Sequence, residues 1–232
     1  MVFFCAGCAV TYKTAPTYTA NIKEIRTIAV MPPEIEVYQL TAGGVREMMD
    51  EWSQKAEGYT RQALSEYFSS RPRFDIKFVE EDWLESNQAD LWRSQKALLM
   101  TVAQNILVHA YEGPNFFPTK AKNFDYTFGE EIQDLSTPVA ADALLFVYGY
   151  DHESTVGRKL LSVWNFMLGA AAGVTILPNT PSGMLMALVN GKTGAVEWFN
   201  TSPPAGEYSF VSQRHIDGLI KWLMRDFIPK KR

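Results

Sequence analysis

The run from Met184 to Phe199 constrains the fold more than any other part of the chain. Met184–Val189 is an unbroken apolar stretch, Asn190-Gly191-Lys192-Thr193-Gly194 is a turn with two glycines and an asparagine, and Val196–Phe199 returns with Trp198 inside it. Two such runs joined by a Gly/Asn turn read as an antiparallel hairpin. The continuous apolar run predicts a buried strand, and Trp198 is large enough to anchor one face of the pair.

The rest of the chain supplies partners for that hairpin. Thr27–Met31, closed by Pro32-Pro33, predicts a buried first strand, because proline cannot continue a central ladder. Val45, Met49, Trp52, Ala56, Tyr59, Ala63 and Phe68 recur at helical spacing and predict an amphipathic helix of about 25 residues with an aromatic core face. Phe74–Val79 predicts a second strand. A further helix is expected over Gln88–Tyr111, a short one near Glu130–Leu135, and a strong strand over Ala143–Tyr150. Ile216, Leu219, Ile220, Leu223 and Phe227 share one side of a closing helix. This order predicts an α/β fold (an α+β mixed sheet). It forms a single three-layer-like domain over 23–232 with a C-terminal β-hairpin and a closing helix. At 232 residues, 47% hydrophobic and 21% charged, the chain can bury such a core without disulfides.

Cysteine usage points to the other end. Cys5 and Cys8 are the two cysteines, both ahead of the patterned region. A redox pair wants a neighbouring βαβ unit and a structural zinc wants two further ligands, and neither accompanies this C-x-x-C. Phe3-Phe4 instead supplies an apolar stretch and Ala6-Gly7 the small residues that precede a cleavage point. Ala6-Gly7-Cys8 resembles the bacterial lipobox, in which the cysteine is acylated and becomes the mature first residue. Cys5 stands where that motif has leucine. Only seven residues precede Cys8, so residues 1–8 read as a signal remnant and lipobox whose upstream part is not in the sequence. Residues 9–22, rich in Thr, Ala and Pro, read as a flexible tether. By the sorting rules of such lipoproteins, Ala9 after the acylated cysteine implies the outer membrane, its inner leaflet, with the domain facing the periplasm.

Three segments resemble the α/β domain shared by the TolB amino-terminal domain, the curli secretion lipoproteins and the lipoprotein activators of peptidoglycan synthases. They are Ile28-Ala-Val-Met-Pro-Pro33, Ala141-Asp-Ala-Leu-Leu-Phe146 and Ala187–Trp198, the last resembling a Leu-Val-Asp-x-x-Thr-Gly-x-x-x-Trp hairpin with Asn190 in place of its aspartate. The resemblance covers most of residues 27–228. It implies a fold and an envelope compartment, and it carries no catalytic signature.

Two segments depart from ordinary core patterning. Residues 112–128 hold Phe116, Phe117, Phe124, Tyr126 and Phe128, either packed on the domain or presented as a surface. Leu160–Leu177, inside an apolar insertion over 158–178, carries no charge. It is open as a buried or capping helix, a membrane-facing or oligomerising segment, or a spanning helix at the lower length limit. Phe116, Phe117, Phe124, Tyr126, Trp164 and Phe166 are the expected partner contacts.

Chemistry-bearing motifs are scarce. The sequence has no nucleophile elbow, H-E-x-x-H helix or phosphate-cradling glycine loop. Asp151-His152-Glu153-Ser154 holds the residue types for acid–base or metal work, so a periplasmic hydrolase or metal enzyme centred on His152 is one alternative. An integral membrane protein through 160–177 is another. A net charge of -4 without a basic stripe argues against nucleic acid. The expected function is a membrane-anchored, non-catalytic interaction or assembly module with no cofactor and no metal. Its partners are the bilayer through acylated Cys8 and other envelope proteins, with a homo-oligomer open.

Overall fold

Ala143–Ser154 (β6) is a strand of 12 residues whose first half is entirely apolar, and the sheet is assembled around it. In the computed structural model, which describes residues 12–40, 46–111, 118–154, 182–203 and 208–229, one flank of β6 pairs antiparallel with Ser182–Asn190 (β7). Its other flank takes two parallel partners in succession. Thr27–Val30 (β2) pairs with Ala143–Leu145, and Glu34–Leu40 (β3) pairs with Tyr148–Ser154. Arg46–Met48 (β4) adds to β3, Asp75–Phe78 (β5) to β2, and Val196–Thr201 (β8) to β7. Lys13–Thr14 (β1) closes the β8 edge, giving a mixed sheet of eight strands.

Strand residues alternate between two cores, as the pleat requires. Ile28, Val30, Leu145, Val147, Met184, Met186, Leu188 and Trp198 face one layer. That layer holds Tyr18–Glu24 (α1), Asp50–Ser69 (α2) and Gln213–Leu223 (α7). Ala29, Met31, Leu144, Phe146, Leu185, Ala187 and Val189 face the other. There Glu81–Asn87 (α3), Ala89–Ile106 (α4) and Gln133–Ser136 (α6) lie with the segment Phe124–Phe128. Pro118–Lys122 (α5) is a short helix before that segment. With both faces covered, the central strands read as continuous apolar runs. The α/β class and the three layers expected from the sequence are the ones observed.

The hairpin forms as expected. Asn190 Oδ1 accepts the backbone N–H groups of Lys192 and Thr193 at 3.0 and 3.2 Å. Gly194 adopts φ +69°, and a Cβ there would lie 2.1 Å from the Gly129 carbonyl oxygen, so only glycine fits.

Several expectations are corrected. From residue 12 the supposed tether belongs to the domain: Ala15 N–H donates to the Glu197 carbonyl at 2.9 Å, and Tyr18 and Ile22 are each 2% exposed. The Thr/Ala/Pro-rich composition hides Tyr18, Ile22 and Ile25, whose spacing sets one apolar helical face. The long helix begins at Asp50, not Val45, because Arg46–Met48 is drawn into pairing with Tyr38–Leu40. Its buried face carries the small residues Ser53, Ala56, Thr60 and Ala63, which let the helix close on the sheet, while Trp52 and Tyr59 form a half-buried rim. The helix expected over 88–111 is preceded by α3, with the break at Gln88, and passes into a π-turn over Leu107–Tyr111. No helix among the described residues is long and apolar enough to cross a membrane. Residues 160–177, Cys8, Phe116, Phe117, Trp164 and Phe166 lie outside the described residues.

Candidate functional site

Alternation along β6 decides where its polar end points. Asp151 and Glu153 turn toward the α2/α7 layer, and His152 turns to the opposite face. Asp151, 1% exposed, accepts the Phe210 N–H at 2.7 Å. Glu153 accepts the Ser209 hydroxyl, Ser209 N–H donates to His215 Nδ1 at 3.0 Å, and Ser182 Oγ donates to the Tyr208 carbonyl at 2.7 Å. Segment 208–210 is therefore clamped to the end of the sheet by side chains from β6 and β7. Burial, with Glu153 alongside, pushes the Asp151 carboxyl up to about 7 against the pull of its N–H donors. Gly149 makes the clamp possible: a Cβ there would stand 2.7 Å from both the Phe210 ring and Ile35.

On the other face, parallel register sets Tyr38 beside His152 and Glu36 beside Tyr150. The rings of Tyr38 and Tyr150 lie 5.4 Å apart, Tyr38 and His152 5.6 Å, and Tyr150 and His152 4.5 Å. Tyr150 shares a hydrogen bond with His152 Nε2 and accepts one from Arg46 at 3.2 Å. Burial and the neighbouring Arg46 cation lower His152 to about 4, so it is neutral at physiological pH. Burial and the Glu36 carboxylate, which accepts the Tyr38 hydroxyl at 2.9 Å, raise Tyr38 to about 12.

Beside this cluster, where β2 and β5 end, a cleft of about 490 Å³ opens between Pro32–Glu36, the first half of α2 and the starts of α3 and α4. Crevices at the carboxyl ends of parallel strands are the usual ligand position in open α/β sheets. The cations here are already matched: Arg61 pairs with Glu80, and Lys96 lies 3.1 Å from Glu81, which also accepts Trp92 Nε1–H at 2.8 Å. Burial, then Glu81, raise Glu57 to about 7, and burial also raises Glu34. Near neutral pH Glu57 is thus partly protonated, so its carboxyl can donate as well as accept a hydrogen bond in the cleft. No grouping of side chains that could hold a metal ion occurs among the described residues.

The residues singled out in the sequence do not gather into one site. His109 stacks on Tyr126, His152 sits among tyrosines, and His215 caps segment 208–210, so the three histidines occupy separate sets of contacts. The carboxylates flanking His152 in sequence face away from it, so the grouping read from Asp151-His152-Glu153 is not assembled on one face. Phe124 and Tyr126, expected as partner contacts, are 8% and 9% exposed and pack in the α4 core. A loop so aromatic lowers its free energy by turning inward. The cleft was missed. Its sequence signal was the alternation Glu34/Glu36/Tyr38 against Ile35/Val37, a strand pattern following directly after the two prolines.

No known protein family matches the chain, and no curated protein does. Among solved structures it is similar to the PelC dodecamer from Paraburkholderia phytofirmans. The identity is 9%, the TM-score 0.40, and the match covers 95% of this chain and 96% of that one. It is also similar to the LpoB C-terminal domain from Salmonella enterica at 13% identity and TM-score 0.29, over 82% of this chain and 93% of that one.

Proposed function

We propose that this chain is a lipid-anchored protein of the bacterial envelope, acylated on Cys8 and facing the periplasm, which binds partners and catalyses no reaction. The observation that carries the reading is the Ala6-Gly7-Cys8 motif standing immediately before the folded domain, whose first described residue is Tyr12. An acylation site in that position joins membrane and domain with almost no spacer. The opposed faces of His152 and its flanking carboxylates support the non-catalytic part. Ala9 supports outer-membrane delivery by the sorting rules of such lipoproteins. Phe116, Phe117, Trp164 and Phe166 remain the proposed partner contacts.

The test is mass spectrometry of the mature N-terminus from cells expressing the full-length gene. The expected peptide begins at Cys8 and carries acyl chains, more than one being needed for stable anchoring. Cys8→Ser is expected to move the protein from the membrane pellet to the soluble fraction. An unmodified Cys8 in protein recovered from the cytosol overturns the proposal.

A further inference from the structure

Carboxylates from separate elements converge on the cleft beside Pro32–Glu36. Glu57 on α2 lies within electrostatic reach of Glu81 on α3 and Glu34 on β3, and Glu34 in turn of Glu36, Glu81 and Lys96. The two cations of the wall are engaged elsewhere, Arg61 with Glu80 and Lys96 with Glu81. Glu34, Asp50 and Glu57 line the cavity without an ion pair of their own among the described residues. Like charges held this close in a half-buried site oppose one another, and a cation between them would relieve the opposition.

Two buried side chains next to these carboxylates also lack a donor. Tyr148, 5% exposed, stands opposite Glu34 in the parallel register and near both Glu34 and Glu36, yet its hydroxyl has no hydrogen-bond partner among the described residues. Gln95, 1% exposed, lies on the turn of α4 that carries Trp92 and Lys96 into the cleft wall, and its Oε1 is equally unpartnered. Buried polar atoms almost always find a partner, so two orphans beside one cavity mark a place where a donor is missing. The carboxylates do not group closely enough to hold a metal ion. The cation that fits is larger and carries several N–H groups. A guanidinium meets both conditions, because its planar fork of donors can engage carboxylates on different elements at once. Pro32, Pro33 and the exposed Met48 offer apolar surface for the methylene stem behind it.

We infer that the cleft is a socket for an arginine side chain of a partner protein, its guanidinium seated between Glu34 and Glu57. This rests on the partner-binding reading and names the chemistry of one contact. Arginine within a peptide is favoured over the free amino acid, whose α-carboxylate would have to enter alongside Asp50 and the two glutamates. Arginines seated in pockets are a recurrent source of binding energy at protein interfaces.

The probe is an acetylated and amidated Gly-Arg-Gly peptide, titrated into the full chain while the Trp92 indole N–H resonance is followed by NMR. That group donates to Glu81 and so reports on the cleft. The expected result is a saturable shift with the arginine peptide, a weaker one with lysine in its place or with free arginine, and none with the uncharged isostere citrulline. Glu34→Gln/Glu57→Gln is expected to weaken the arginine peptide at least about tenfold. Exchange for neutral amides removes mutual repulsion, so its urea midpoint should be no lower than that of the parent. Glu66→Gln, on α2 but outside the cleft, should bind as the parent does. The groups facing Glu57 are Glu34, Glu81 and Arg61, and a cation favours its ionised form, so affinity should rise between about pH 6 and pH 8. That pH series on the unaltered chain decides the matter should the double variant fail to fold. Equal binding of the citrulline or lysine peptide overturns the proposal, as does an affinity untouched by pH or by the double substitution. Tighter binding of free arginine assigns the site to a small molecule and overturns the partner-protein arginine. None of these failures touches the anchor reading, which the mass of the mature N-terminus decides separately.

Discussion

Asp151 is 1% exposed, and its environment sets a pH dependence with a definite sign. Its pKa of about 7 in the fold lies above the ordinary aspartate value, so the unfolded chain loses this proton first as pH rises. The contribution of Asp151 is therefore most favourable in acid and is lost progressively as pH rises from about 4 to about 7. His152 works in the opposite direction. Lowered to about 4, it adds stability as pH rises through roughly the same window, because the unfolded chain gives up a histidine proton that the fold never bound. The two effects mask each other in the wild-type curve. Asp151→Asn keeps an acceptor for the Phe210 N–H and removes the titration. It is expected to be more stable than wild type at pH 8, with the difference shrinking as pH falls to 5, as urea midpoints at each pH would show. Gly149→Ala places a methyl group against Phe210 and Ile35 and is expected to cost about 1–3 kcal/mol, read as a lower urea midpoint at unchanged m value. Little of this clamp was legible in the sequence. Asp151-His152-Glu153 announced chemistry by residue type, but pleat alternation sends His152 to one face and its neighbours to the other, and Ser209 and Phe210 come from a distant segment.

Elements were far more legible, because periodicity is local. The β7/β8 hairpin, β2 with its closing prolines, the body of α2 and the closing helix α7 all stand where apolar spacing put them. What escaped was set by partners distant in sequence. β3 and β4 owe their pairing to the end of β6 and to each other, and α1 owes its order to the α7 end. There Phe227 packs edge-on against Phe68 and Trp198, at 5.8 and 5.1 Å between ring centres, and its carbonyl accepts the Tyr18 hydroxyl. Phe227→Ala is expected to destabilise the domain by about 3–5 kcal/mol. Amide exchange should show α1 losing protection before β6 and β2, since α1 is tied to Phe227 through Tyr18 while β6 and β2 are held by their own ladders.

Across the molecule, the lipid-anchor proposal makes the short connection between Cys8 and β1 the limit on how far the domain would stand from a membrane. Inserting a flexible Gly/Ser spacer of about ten residues between Cys8 and Tyr12 would lengthen the reach by up to roughly 30 Å. If Cys8 is the anchor, the expected outcome is a protein that still pellets with membranes, as fractionation would show. The cleft belongs to this scale too, since α2, β3, α3 and α4 meet only in the assembled fold.

β6 is one uninterrupted strand, about 40 Å long, that begins beside the Asn190 turn at Ala143 and ends at Ser154. β2 and β3 share one flank of it in tandem, and β7 runs along the other as far as Asp151, so the one strand joins both ends of the sheet. A load applied at either end is therefore carried through both cores by a single backbone.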